Sequence, residues 1–98
     1  MNYNFEWDIQ KAKQNKRKHK VTFENASTIF RDPKTLSIYD SVHSEFEDRW
    51  ITLGISSTGN LIVVSHTFNE IDKDNMLIRI ISARKATKLE SNQYEEGI

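Results

Sequence analysis

The run "LIVVSHTF", Leu61 to Phe68, is apolar at nearly every position and lies between two polar turns, "SSTGN" and "NEIDKDN". Nothing else in the chain constrains the fold as tightly. A short, near-continuous apolar run of this kind is a strand at the centre of a sheet, with both faces covered. It needs strands beside it. "RWITLGIS" alternates Ile51, Leu53 and Ile55 with other residues and reads as its hairpin partner, with Gly59 in the loop supplying positive φ. "TLSIYD" alternates Leu36 and Ile38, an earlier strand, and "MLIRIIS" is a fourth. Ile51, Leu53, Ile55, Val63, Ile78 and Ile80 are then expected to face the core.

Helical patterns flank these strands. Asp8 caps a helix expected over Ile9–Lys18, closing near His19. Its apolar content is thin, so it lies on the surface. Thr22 caps a second, where Phe23, Ala26, Ile29 and Phe30 recur at helical spacing and Phe23 and Phe30 are expected to pack on the sheet. Pro33 ends it. Ser82 is the expected cap of a last helix running to about Tyr94. The expected class is α+β: two N-terminal helices, a four-stranded antiparallel sheet and a C-terminal helix, with helices mainly on one face, in one domain over residues 1–98.

Composition excludes several functions. There is no cysteine, hence no disulfide framework and no thiolate metal site. The N-terminal stretch lacks an apolar signal core, and no apolar run nears membrane-spanning length, so a cytoplasmic location without membrane contact is expected. Net charge is zero, but the charge is unevenly placed: Lys11 to Lys20 holds six Lys or Arg and no acid. That run reads as a solvated helix face, with contact to RNA or an acidic partner as the alternative.

No glycine-rich phosphate loop, HExxH or nucleophile elbow is present. Three arginines carry the chemical interest. Arg79 stands inside an isoleucine-rich strand, where an unpaired guanidinium is costly. It either pairs with an acid such as Glu47 or clamps a phosphate. Arg84 and Lys85 fall in the expected first turn of the last helix, where the dipole favours anions, and Lys88 follows four residues after Arg84. The block "HSEFEDRW" gathers His43 and Glu47, candidates for a general base, with Arg49 as a third cation. His66 and Tyr94 have structural explanations.

"FEWDIQKAKQNKRKHKVTFENASTIFRDP", "HSEFEDRWITLGIS" and "IRIISARKATKLESNQYEE", in this order, resemble the BrnT family of bacterial toxins over nearly the whole chain. Lys20 follows His19 where the family pattern has glycine. The resemblance implies a RelE-like fold and a ribonuclease toxin of a type II toxin–antitoxin pair. It also implies a BrnA-like ribbon-helix-helix antitoxin partner, through which alone the protein meets DNA. The chemistry expected is metal-independent and cofactor-free: the RNA 2′-hydroxyl attacks the adjacent phosphorus. Arg49, Arg79 and Arg84 would stabilise the phosphate, Glu47 or His43 act as base, and Lys85 and Lys88 bind RNA, Lys85 serving also as a possible acid. The alternative is a non-catalytic module that binds RNA or antitoxin.

Overall fold

The computed structural model describes residues 1–97. The order is β1 (Asn2–Glu6), α1 (Ile9–His19), α2 (Phe23–Ser27), a 3-10 turn (Thr28–Arg31), β2 (Leu36–Tyr39), a second 3-10 turn (Ser41–His43), β3 (Trp50–Ile55), β4 (Leu61–His66), β5 (Asn69–Asp72), β6 (Asn75–Lys85) and α3 (Lys88–Glu96). The sheet runs β1-β6-β4-β3-β2, and β5 pairs with β6.

The α+β class holds, but the sheet has six strands rather than four, and it is mixed rather than antiparallel. β1 runs parallel to β6, from Asn2 opposite Asn75 to Glu6 opposite Arg79. β5, read above as part of a polar turn, forms an antiparallel hairpin with the first residues of β6. All four β5 residues are exposed, so no apolar alternation marks it. The last helix begins after Thr87, not Ser82. Thr87 Oγ1 accepts from Glu90 N and Glu90 Oε1 accepts from Thr87 N, a reciprocal capping box. Arg84 and Lys85 are therefore strand residues.

The main core lies between the sheet and the N-terminal helices. Phe23, Ala26 and Ile29 pack against Ile62, Val64, Ile78, Ile80 and Ala83, with Phe30 at the margin. On β3 the face turned to this core carries Thr52 and Gly54, not the Ile51, Leu53, Ile55 set expected. Cross-strand partners share a face, and Thr52 pairs with Val64 while Leu53 pairs with Val63. Leu53 and Val63 are buried on the opposite side, near α3, but Ile55 is 41% exposed. Gly54 is required where the 3-10 turn crosses β3: a Cβ there would stand 2.8 Å from Thr35 Cγ2 and 3.1 Å from Ile29 Cβ.

Two local features position everything that follows. The first is Asn15 on α1, 6% exposed. β1 stops opposite Arg79, leaving the edge of β6 open beyond it. Asn15 closes that edge: its Oδ1 accepts from Ala83 N at 3.0 Å, and its Nδ2 donates to Ala83 O at 2.8 Å and Val21 O at 3.0 Å. The second is a bulge. Ser65 pairs with Ser82 but His66 pairs with Ile80, so Ile81 is an extra residue on β6. Burial follows the same shift, with Ile78, Ile80 and Ala83 all in the core.

Removing the Asn15 amide strands three buried backbone groups, each costing about 1–3 kcal/mol if unpaired. Asn15→Ala should destabilise the fold by roughly 2–4 kcal/mol in urea titration, with some groups rescued by water. Lys20 closes α1 in the left-handed region at φ 61°, the conformation that favours glycine. Lys20→Gly should raise stability by roughly 0.5–1 kcal/mol in the same assay, despite losing the Nζ bond to Arg17 O.

Candidate functional site

Arg79 and Arg84 are five residues apart, an odd spacing that puts side chains on opposite faces of a regular strand. The Ile81 bulge reverses the parity between them. Both guanidiniums therefore leave the sheet on the face opposite α1 and α2. Val63 stands opposite Arg84 and Thr67 N donates to Arg79 O, so four steps along that chain put their Cα atoms about 14 Å apart, taking ~3.4 Å per residue. α3 lies toward one end of this face, and Ile38, 63% exposed, leaves the β2 end open.

The loop before β3 brings Glu47 and Arg49 to Arg79. Arg79 Nη2 donates to Glu47 Oε1, and Arg49 Nη2 reaches the same oxygen at 3.4 Å. One carboxylate oxygen thus lies between two guanidiniums. The hydrogen bond from Arg79, aided by the two positive charges, holds the Glu47 carboxyl below its usual range against a smaller opposing effect of burial. Arg49 Nε is buried without a hydrogen-bond partner. The loop is shaped by Ser44, whose Oγ donates to Asp40 O and accepts from Arg49 N at 2.9 Å.

The other expected site residues make no ion pair with this cluster. His43 is on the same loop, its Nδ1 2.8 Å from Asp40 Oδ2, with a side chain 64% exposed. Arg84 forms a two-pronged bridge to Glu90, Nη1 to Oε1 at 2.8 Å and Nη2 to Oε2 at 2.9 Å. Its Nη1 also donates to Lys85 O at 3.3 Å. The cation that seemed misplaced at a helix start is thus met by the carboxylate of the capping box. That bridge holds Glu90 down to about 2 and raises Arg84 further. Lys85 pairs with Ile62 and so lies on the helix-covered side of the sheet, away from Arg79. Lys88 is the exposed first residue of α3.

Two polar groups outside the cluster are structural. His66 is fully buried, in edge-to-face contact with Phe30 and Phe68. Thr67 O, 3.1 Å from Nδ1, can only accept, so Nδ1 carries the proton and Nε2 accepts from Thr52 Oγ1 at 2.6 Å. Burial depresses this imidazole to about 4. Tyr94 donates to Asp32 Oδ2, which also accepts from Ile55 N, and this ties α3 to the end of β3. Burial first, and the Asp32 carboxylate second, push the phenol up to about 12.

A family model described as the ribonuclease toxin BrnT of type II toxin–antitoxin systems matches residues 7–90. That span takes in every residue of the Glu47 cluster and both partners of the Arg84–Glu90 bridge. No curated protein matches the chain.

The unfolded chain protonates His66 near its ordinary value of 6.5, the folded chain only near 4. Acid therefore favours unfolding through that window. The stability this residue contributes is complete above pH 6.5 and falls by about 3 kcal/mol on acidification to pH 4, at 1.36 kcal/mol per pH unit. His66→Gln should flatten the dependence of melting temperature on pH between 6.5 and 5, where Glu47 and Glu90, both held below their usual range, are still ionised.

Proposed function

We propose that this chain, which belongs to the BrnT family of ribonuclease toxins of type II toxin–antitoxin systems, cuts RNA on the face of its sheet opposite α1 and α2, without a metal ion. The observation that carries this reading is the Glu47 carboxylate shared by Arg79 and Arg49 at a partly open surface. Two guanidiniums already arranged around one anionic oxygen are arranged for a phosphate oxygen as well. An RNA phosphate takes the place of Glu47 between them. Glu47 thereby loses the hydrogen bond and charges that hold its pKa down, and becomes a better base.

The 2′-hydroxyl gives its proton to Glu47 and attacks the adjacent phosphorus. The P–O5′ bond breaks, leaving a 2′,3′-cyclic phosphate, and the departing 5′-oxygen takes a proton from His43, whose ring Asp40 orients. Arg79 and Arg49 meet the charge that builds on the phosphate oxygens. Arg84 adds positive charge on the same face but stays with Glu90, so its main work is to dock α3. Lys88 contacts RNA beyond the cut, and Lys85, on the other side of the sheet, takes no part in the proton transfers. The toxin works in the cytoplasm and is neutralised by a BrnA-like ribbon-helix-helix antitoxin that carries it to operator DNA.

One observation favours a second reading, a module that binds RNA or antitoxin without cutting: every open-face arginine already contacts a carboxylate, Arg49 and Arg79 sharing Glu47 and Arg84 holding Glu90. Expression without a partner separates the two, since only the nuclease arrests growth.

Purified protein incubated with RNA and EDTA should yield cyclic phosphate ends. Arg79→Ala should lower the cleavage rate about 10²–10³-fold with little change in melting. Arg79→Lys should recover only part, because an ammonium cannot bridge two oxygens as a fork. Arg84→Ala should instead lower the melting temperature, with loss of activity following loss of folded protein. Full activity in folded Arg79→Ala would remove the phosphate site from this face.

A further inference from the structure

α1 presents Lys11, Gln14 and Lys18 at positions i, i+3 and i+7, all on the face that also carries Asn15. Because Asn15 is bonded to the edge of β6, that face is turned toward the bulge. A groove results, with Lys11, Gln14, Lys18 and His19 on the helix side, Ile81 and Ser82 on the strand side, and Asn15 at its floor. Ser82 belongs to two surfaces. It lines this groove, and its register with Ser65 places it on the sheet face that bears Arg79 and Arg84. The groove therefore opens onto the face assigned above to catalysis.

Its charges differ in kind from those of that face. Arg84 has a carboxylate of its own, and Arg49 and Arg79 share that of Glu47. Lys11 and Lys18 have none among the described residues, and no acid occurs between Lys11 and Lys20. Two ammonium groups about two helical turns apart, neither paired with a carboxylate among the described residues, suit phosphates of one RNA strand. Ile81 and the half-buried imidazole of His19 offer apolar and flat surface for a sugar and a base.

We infer that the groove between α1 and the β6 bulge is a binding site for single-stranded RNA, gripping phosphates that flank the one cut at Arg79. This rests on the nuclease reading for its direction along the RNA, but the binding itself is measured without cleavage. The probe is a fluorescent single-stranded 2′-O-methyl RNA, which lacks the attacking hydroxyl, titrated by anisotropy over a range of salt. Lys11→Ala/Lys18→Ala should weaken binding about tenfold across unrelated sequences and make the slope of log K against log salt shallower by about 1.4, at ~0.7 per phosphate contact. Lys34→Ala/Lys73→Ala removes the same charge at exposed positions away from the groove and should leave affinity within about twofold. An unchanged affinity in the first variant, or an equal loss in the second, would overturn the inference. If the first variant loses binding as expected but the wild-type protein leaves unmodified RNA intact, the groove stands and the nuclease reading falls.

Discussion

A primary amide carries the donor and acceptor of a peptide group on the end of a side chain, and this fold depends on that equivalence at one place. β6 is eleven residues long, but β1 covers only its first part. Beyond Arg79 its outer edge has no strand. Asn15 supplies the donor and acceptor that a further strand residue would have supplied to Ala83, and its second amide hydrogen fastens the chain leaving α1 at Val21. A helix with few apolar residues is thereby fixed to the sheet by polar contacts that only an amide can make together. A lysine or glutamate at this position offers donors alone or acceptors alone.

The same segment of β6 holds the bulge, and the two features act together. The bulge turns Arg84 onto the face of Arg79, while Ala83, between Arg84 and Ser82, returns to the core beside Val64. One extra residue thus reconciles a continuous core with two arginines on the other side. In a regular strand with Ile78 and Ile80 in the core, Arg84 would be buried under α1 and Ala83 exposed.

Apolar runs were legible and parity was not. "LIVVSHTF" announced β4, Asp8 and Thr22 announced their helices, and Gly59 its turn, because each signal is local. On β3, two faces compete for burial. Ile51, Leu53 and Ile55 look inward by hydropathy, yet the better-packed core lies under Thr52 and Gly54, since Gly54 admits the 3-10 turn and Thr52 bonds His66. β5 carries no apolar alternation and exists because the Lys73–Asp74 turn returns it onto β6. The alternation of Tyr3 and Phe5 in β1 could have been read as a strand, and its parallel pairing with a distant segment could not. At the site, Arg79 and Glu47 were paired correctly as one of two alternatives. Arg84 was misplaced because the extra residue at Ile81 leaves no mark in composition, so "SARK" passes as a helix start.

Zero net charge conceals two treatments of cations. The open sheet face holds its three arginines against two carboxylates, and the α1 groove leaves Lys11 and Lys18 without an ion-pair partner among the described residues. A polyanion is drawn first to the unmatched charges, where it displaces only water and counterions. Entry at Arg79 then requires exchange with a carboxylate, and the two carboxylates of the face are unequal in this respect. Glu90 has both oxygens in the Arg84 fork and one also on Thr87 N, so its removal uncaps α3. Glu47 holds nothing but the two arginines and is more exposed than Glu90. Exchange is therefore cheaper at Glu47. Under the proposed reading this is also where it is useful, because the phosphate that displaces Glu47 frees the group that then accepts the 2′-hydroxyl proton. In that reading substrate binding and activation of the base become a single event, and the ion-paired cluster of the free protein is the resting form of the proposed site.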